Sequence, residues 1–216
     1  MIDKVEVCNE KRLNEYSESL NDLPGDKVVL DIGGAVCLLP RADYVVDLSP
    51  FSGRMRCNGD KRVPDDHWVL ADICNGFPYF GDKQFDFVYC SQTVEDVRDP
   101  IGLIREISRI GKAGFISTIH WSYELNASFG KRWGAPRDEF VGYSHHRWVV
   151  GVNDNKLEFA YKQPYVHWDL DYKIPIAEQI LNIYWTDSLD AVEIMYHGND
   201  TRKEFVDFCV NRWGRD

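Results

Sequence analysis

Apolar residues fall in short runs separated by polar segments rich in Gly and Pro. Residues 8–22 place Leu13, Tyr16 and Leu20 at helical spacing, and Pro24-Gly25 ends that element. Val28-Val29-Leu30-Asp31-Ile32 is a β-branched run that stops at glycine and reads as a strand buried on both faces. Similar runs recur at Asp43–Asp47, Trp68–Asp72, Phe85–Cys90 and Gly114–Ile119. Between the last two, Pro100 opens a helix whose Ile101, Ile104, Ile107 and Ile110 share one face, closed by Gly111. Leu48–Asp66 is polar and reads as a long loop or a short helix within one. Strands alternating with helices or crossovers predict a parallel sheet with right-handed connections.

Beyond His120 the texture changes, and six of the seven tryptophans lie there. Val149–Val152 and Lys156–Ala160 flank Asn153-Asp154-Asn155, a hairpin signal. Ile174–Ile183 reads as helix, Ala191–Tyr196 as a strand and Arg202–Arg212 as a closing helix. No internal repeat, low-complexity tract or linker interrupts the chain, so one domain is expected over 1–216.

Composition narrows the class. The 216 residues, 44% hydrophobic and 28% charged, suit a globular α/β domain with a substantial core. No apolar run approaches the roughly 20 residues of a membrane span, and Met1–Glu6 lacks the layout of a signal peptide, so a cytoplasmic protein is expected. The six cysteines (Cys8, Cys37, Cys57, Cys74, Cys90, Cys209) form no C-x-x-C pair and are expected as reduced thiols. A net charge of −10 disfavours a nucleic-acid partner. The basic cluster Arg54, Arg56, Lys61 and Arg62 is the one feature that points the other way.

The most informative unit is Val28–Gly34 followed by Asp47, 16 residues after Asp31, at the end of the next strand. In an open α/β sheet, ligands bind beyond the carboxyl ends of the strands. Gly33 and Gly34 would let backbone approach a ligand closely. An acid at Asp47 can accept from a ribose diol, and Asp72, ending the third strand, is placed to meet an adenine edge. Gly33-Gly34-Ala35-Val36-Cys37-Leu38 lacks the G-x-G-x-x-G of dinucleotide binders, which favours a nucleoside cofactor without pyrophosphate.

Val28–Leu125 resembles the class I S-adenosylmethionine-dependent methyltransferases. Leu30–Gly34 is similar to that family's first motif. Asp47 matches its ribose-binding acid, and Ala71-Asp72-Ile73 its adenine-side position. Phe85–Val97 resembles the fourth-strand motif, and Arg109–Ile116 the turn into strand five. Two departures stand out: Ala35 or Val36 occupies a place where the family usually has another glycine, and Glu95-Asp96 replaces a common Glu-His. The resemblance implies a Rossmann-like, doubly wound, mostly parallel seven-stranded sheet with an antiparallel C-terminal strand and helices on both faces. It implies S-adenosylmethionine as cofactor, held by Asp31, Gly33, Gly34, Asp47, Asp72, Ile73, Ser91 and Gln92. Residues 28–120 are then the cofactor-binding half, and 121–216 the acceptor-binding, sheet-completing half.

Methyl transfer to a hydroxyl needs alignment and a proton acceptor. His120, directly after the fifth strand, and His146 are the candidate bases. Glu95, Trp121, Tyr123, His145, Arg147 and Trp148 are candidates for the acceptor side, where aromatic faces and polar tips would suit a sugar ring. If Arg147 begins a strand, His145 and His146 point opposite ways. No ligand spacing supports a metal site, and none is assigned. The expected function is O-methylation of a small hydroxylated acceptor, a sugar or glycan first among them, by a monomer or homodimer. A catalytically silent fold kept for binding or assembly is the second reading, and an RNA or protein methyltransferase the third.

Overall fold

A computed structural model describes residues 1–50, 63–126, 141–167, 172–175, 177–199 and 201–214. The basic cluster Arg54–Arg62, Cys57, Trp133 and Trp168 lie outside the described residues. The strands are β1 (Ile2–Cys8), β2 (Val29–Ile32), β3 (Tyr44–Asp47), β4 (Trp68–Leu70), β5 (Phe87–Ser91), β6 (Ala113–Ile119), β7 (Trp148–Asn153), β8 (Lys156–Tyr161), β9 (Ile180–Thr186) and β10 (Asp190–Ile194). The helices are α1 (Glu10–Ser19), α2 (Pro100–Ile110), α3 (Trp121–Glu124) and α4 (Arg202–Trp213).

Seven strands form one sheet in the order β1-β9-β6-β5-β2-β3-β4. The β2–β3, β2–β5, β3–β4 and β5–β6 pairs are parallel, and β9 runs antiparallel to both its neighbours. This is the Rossmann-like, mostly parallel sheet that the sequence predicts. Side-chain alternation fills both faces. Leu30, Ile32, Val88, Cys90 and Ile116 pack with Leu103, Ile104, Ile107 and Ile110 of α2. Val29, Val45, Tyr89 and Phe115 point the other way, onto Leu13 of α1 and the following Leu20. Asp99 caps α2 by accepting from the Gly102 N–H at 2.8 Å, with Pro100 at the first helical position.

Two expectations need correction. Residues 180–186 are strand β9, not the end of a helix. Their side chains are buried on both faces between β1 and β6, and a continuous apolar run cannot be told from a buried helix by periodicity. β1 was not expected at all. It is an edge strand with Lys4 and Glu6 among its residues, as suits an edge, and pairing with β9 supplies its backbone partners.

The expected hairpin forms as β7–β8, and β10 joins it in parallel to make a separate three-stranded sheet. One face of this sheet (Val150, Leu157, Phe159) packs into the core of the main sheet. The other (Val149, Ala160) packs on Phe205, Val206, Cys209 and Trp213 of α4. Thus the strand over 190–194 completes the small sheet, and the antiparallel strand of the main sheet is β9. None of the five described cysteines is in a disulfide. Among the described residues, no helix is long and apolar enough to cross a membrane.

Candidate active site

The parallel strands deliver their carboxyl ends to one edge, where two clefts adjoin. Asp31 points from β2 into the first face's opposite side, 2% exposed, and accepts the Leu39 N–H at 2.8 Å. Burial, aided by the charge of Asp47, raises its pKa to about 7 despite that hydrogen bond. Gly33 adopts φ +83° and donates its N–H to the Val46 carbonyl at 2.9 Å. A Cβ on Gly34 would stand 2.5 Å from Asp31 Oδ2 and 3.2 Å from Val45 Cγ1. We expect Gly34→Ala to cost about 1–3 kcal/mol of stability by overpacking and to weaken cofactor binding, read by thermal melting and calorimetry.

The larger cleft, about 420 Å³, is lined by Asp31, Gly33, Ser91, Gln92, His145 and His146, with Asp96, Tyr143 and Gln179. The second, about 350 Å³, is lined by Gly33, Asp47, Asp72, Ile73, Gln92 and Arg147, with Asp96 and Arg98. Gly33, Gln92 and Asp96 border both. Gln92 holds φ +50°, uncommon for a non-glycine residue, and donates its N–H to the Ser117 carbonyl at 2.8 Å. Asp47 accepts the N–H of Ala35 at 2.9 Å and of Ser49 at 2.7 Å, one on each oxygen. Asp72 accepts the Cys74 N–H at 3.0 Å and pairs with Arg98, which holds its carboxyl below the usual range.

His146 sits at the acceptor end of the larger cleft. Its Nδ1 lies 3.0 Å from Glu124 Oε2, its ring stacks on Tyr143 at 4.5 Å, and its Nε2 lies 3.9 Å from Asp96 Oδ1. Burial alone would lower its pKa, but Glu124, Glu95 and Asp96 outweigh that and raise it. Glu124 is itself buried. It accepts from Lys162 and from the Tyr143 N–H at 3.0 Å, and these partners with His146 keep its carboxyl ionised against the cost of burial. Residues 144–146 form a turn and β7 begins only at Trp148, so strand alternation does not separate the two histidines. Both line the same cleft.

Other candidates are placed elsewhere. His120 caps α3, its Nδ1 accepting the Ser122 N–H at 3.2 Å, and burial lowers its pKa to about 4. It lines a third cavity of about 560 Å³ with Trp121, Leu181 and Trp213, apart from the two clefts. Glu95 is 1% exposed and lines neither cleft; burial raises its carboxyl to about 7. Its carbonyl anchors the start of β7 by accepting the N–H groups of Arg147 at 2.8 Å and Trp148 at 3.1 Å. Trp148 donates to the Val97 carbonyl at 2.8 Å, Tyr123 packs with the α1-side core, and neither lines the two clefts. Glu124, Lys162 and Gln179 were not singled out from the sequence. The one signal for Glu124 was an acid inside the otherwise apolar and aromatic Trp121–Leu125 segment.

Residues 33–116 match the family model described as a methyltransferase domain. Over that span, under half of the chain, it is similar to the class I S-adenosylmethionine-dependent methyltransferases. The matched span, 84 residues, runs from the glycine turn through most of β6. Methyltransferases of the family that this span resembles use S-adenosylmethionine. Gly33 borders both clefts, a Cβ on Gly33 or Gly34 would run into Thr93 or Asp31, and Asp47 and Asp72 line the second cleft with carboxylate lone pairs that a nucleoside could use. Among solved structures, the chain is similar to the S-adenosylmethionine dependent methyltransferase of Mesorhizobium loti (20% identity, 68% of this chain and 64% of that one, TM-score 0.38). It is also similar to the [4+2]-cyclase SpnF (17%, 52% and 49%, TM-score 0.35). A protein described as a methyltransferase of Listeria monocytogenes aligns over 82% of this chain and 99% of its own, at 13% identity and TM-score 0.44. The chain thus spans about half of SpnF and under two thirds of the Mesorhizobium loti protein. No curated protein matches the chain.

The buried carboxyl of Asp31 gives this chain a pH signature. A folded-state pKa raised above the unfolded value of 3.8 means that the contribution is fully present below that value and is lost as pH rises through about 7. Replacing Asp31 by Asn removes the titration. The stability of Asp31→Asn relative to the parent should therefore climb by about 1.4 kcal/mol per pH unit between about pH 5 and 6.5, then level off. Urea unfolding across that range checks it.

Proposed function

We propose that the chain transfers a methyl group from S-adenosylmethionine to a hydroxyl of a small polar acceptor, a sugar or glycan first among them. The observation that carries this reading is His146, oriented by buried Glu124 and opening onto the cleft that shares Gly33 and Gln92 with the cofactor side. A carboxylate only accepts, so His146 Nδ1 donates to Glu124 and Nε2 keeps the lone pair. The bound cofactor supplies an electrophilic methyl on a sulfonium. Transfer would break the S–CH₃ bond and release the thioether product as the acceptor oxygen takes the methyl, and His146 Nε2 would accept the hydroxyl proton. Gln92 and Asp96 border both clefts and are placed to orient the acceptor against the methyl.

The acceptor end favours a neutral polyol. No Lys or Arg is among the described residues lining the larger cleft, so nothing there neutralises a phosphate or carboxylate. Tyr143, Gln179, Asn14 and Ser17 offer hydroxyl and amide groups instead. Calorimetry with S-adenosylmethionine and S-adenosylhomocysteine, followed by methyl transfer to a panel of hydroxylated sugars, tests the reading. Failure of either ligand to bind at millimolar concentration sinks it.

One observation favours the second reading, a silent fold retained for binding or assembly. Asp47 and Asp72 are already engaged, Asp47 by two backbone N–H groups and Asp72 by Cys74 and Arg98. Each carboxylate keeps further lone pairs for a nucleoside, so cofactor binding does not discriminate between the readings. Turnover of any acceptor does.

A further inference from the structure

We propose that Asp96, His145 and His146 form a site for a divalent transition-metal ion of the zinc class, and that this ion competes with the acceptor's proton for His146 Nε2. The competition rests on the proposed function; the binding does not. One ligand atom from each residue lies within 4.8 Å of the other two. His146 Nε2 and Asp96 Oδ1 face each other across 3.9 Å, too far for a hydrogen bond. Bonds of about 2.0–2.2 Å to one ion would bring two such atoms to a separation of roughly 3–4 Å. Asp96 Oδ1 is buried and has no hydrogen-bond partner, and in the neutral tautomer that Glu124 selects it faces the Nε2 lone pair.

The surroundings have the form of a ligand's support. Ligating histidines usually donate their second ring N–H to a carboxylate, which fixes tautomer and orientation. Glu124 takes that place behind His146, and is held in turn by Lys162 and the Tyr143 N–H. His145, exposed, meets His146 edge-on at 4.6 Å and stands at the cleft mouth as the third ligand. Two imidazoles and one carboxylate suit zinc, cobalt or nickel better than the oxygen-preferring magnesium or calcium. Three protein ligands leave a fourth position open toward the cleft. Because one nitrogen lone pair serves one partner, an occupied site removes the base.

Cobalt(II), added to the purified full chain and followed by its visible ligand-field absorption, tests binding without reference to turnover; zinc calorimetry gives the affinity. We expect saturable binding that weakens about 100-fold or more in His145→Ala, His146→Ala and Asp96→Asn, and about 10- to 100-fold in Glu124→Gln. His197→Ala, outside the cluster, should bind as the parent does. Circular dichroism checks folding, and His145, being exposed, keeps the test valid should the buried variants fail to fold. Absence of binding, or binding unchanged in His145→Ala and Asp96→Asn, overturns the site. Zinc should also suppress methyl transfer, with recovery on chelation; faster transfer with zinc overturns the competition. A chain that binds cobalt but methylates no acceptor refutes the functional reading and leaves the site standing.

Discussion

His146→Ala should reduce the methyl-transfer rate by about 10²- to 10⁴-fold, the range that a positioned general base contributes, while S-adenosylmethionine affinity stays within a few-fold of the parent. The split follows from the geometry. His146 lines the acceptor cleft but not the neighbouring cleft formed by Asp47, Asp72 and Ile73. Its loss leaves that second cleft intact and removes the only histidine of the chain held by a buried carboxylate among the described residues. His120→Ala is the internal control. Its ring caps α3 and faces another cavity, so the expected effect is a small loss of stability with little change in turnover. Rapid-quench kinetics on both variants separates the two histidines, which were equal candidates in the sequence. A rate lost with His120 and kept without His146 would reverse the assignment.

The sequence revealed those parts of the molecule whose physics is local. β2, β3, β5, β6 and α2 are buried parallel strands and an amphipathic, capped helix, and their signals lie within a few residues of each other. The glycine turn and the acids at the strand ends were legible for the same reason, since they are placed by the ends of strands already identified. β1 and β9 were not. β1 forms because β9 offers it backbone partners 180 residues away, and β9 forms because it is buried between β1 and β6. The acceptor side is still less local. His146 was nominated, but its partner Glu124 and the Lys162 that holds Glu124 come from α3 and from the residue after β8, and only the fold brings them together. The turn at 144–146 also defeated the alternation argument, because it delays β7 and lets adjacent histidines share one cleft.

The buried pair behind that histidine should dominate the stability of the acceptor region. Lys162→Met is expected to destabilise the fold by about 3–5 kcal/mol, the usual cost of stripping one partner from a buried ion pair. Lys162 and Glu124 side chains are 1% and 2% exposed, and the ammonium also donates to the Tyr143 carbonyl. Without it, Glu124 keeps a buried negative charge with only the His146 and Tyr143 N–H groups as donors among the described residues, and the Tyr143 carbonyl loses its donor. The long apolar side chain of Met fills the space, so the loss is electrostatic rather than a cavity effect. Replacing Glu124 by Gln in the same chain removes the stranded charge. Therefore the double variant should recover part of the loss, giving a coupling energy of about 1–3 kcal/mol in a double-mutant cycle by urea unfolding. A cycle with no coupling would mean that the two charges are stabilised independently. Glu124 would then orient His146 without help from Lys162, and the lysine would serve only to tie the 141–143 segment to the end of β8.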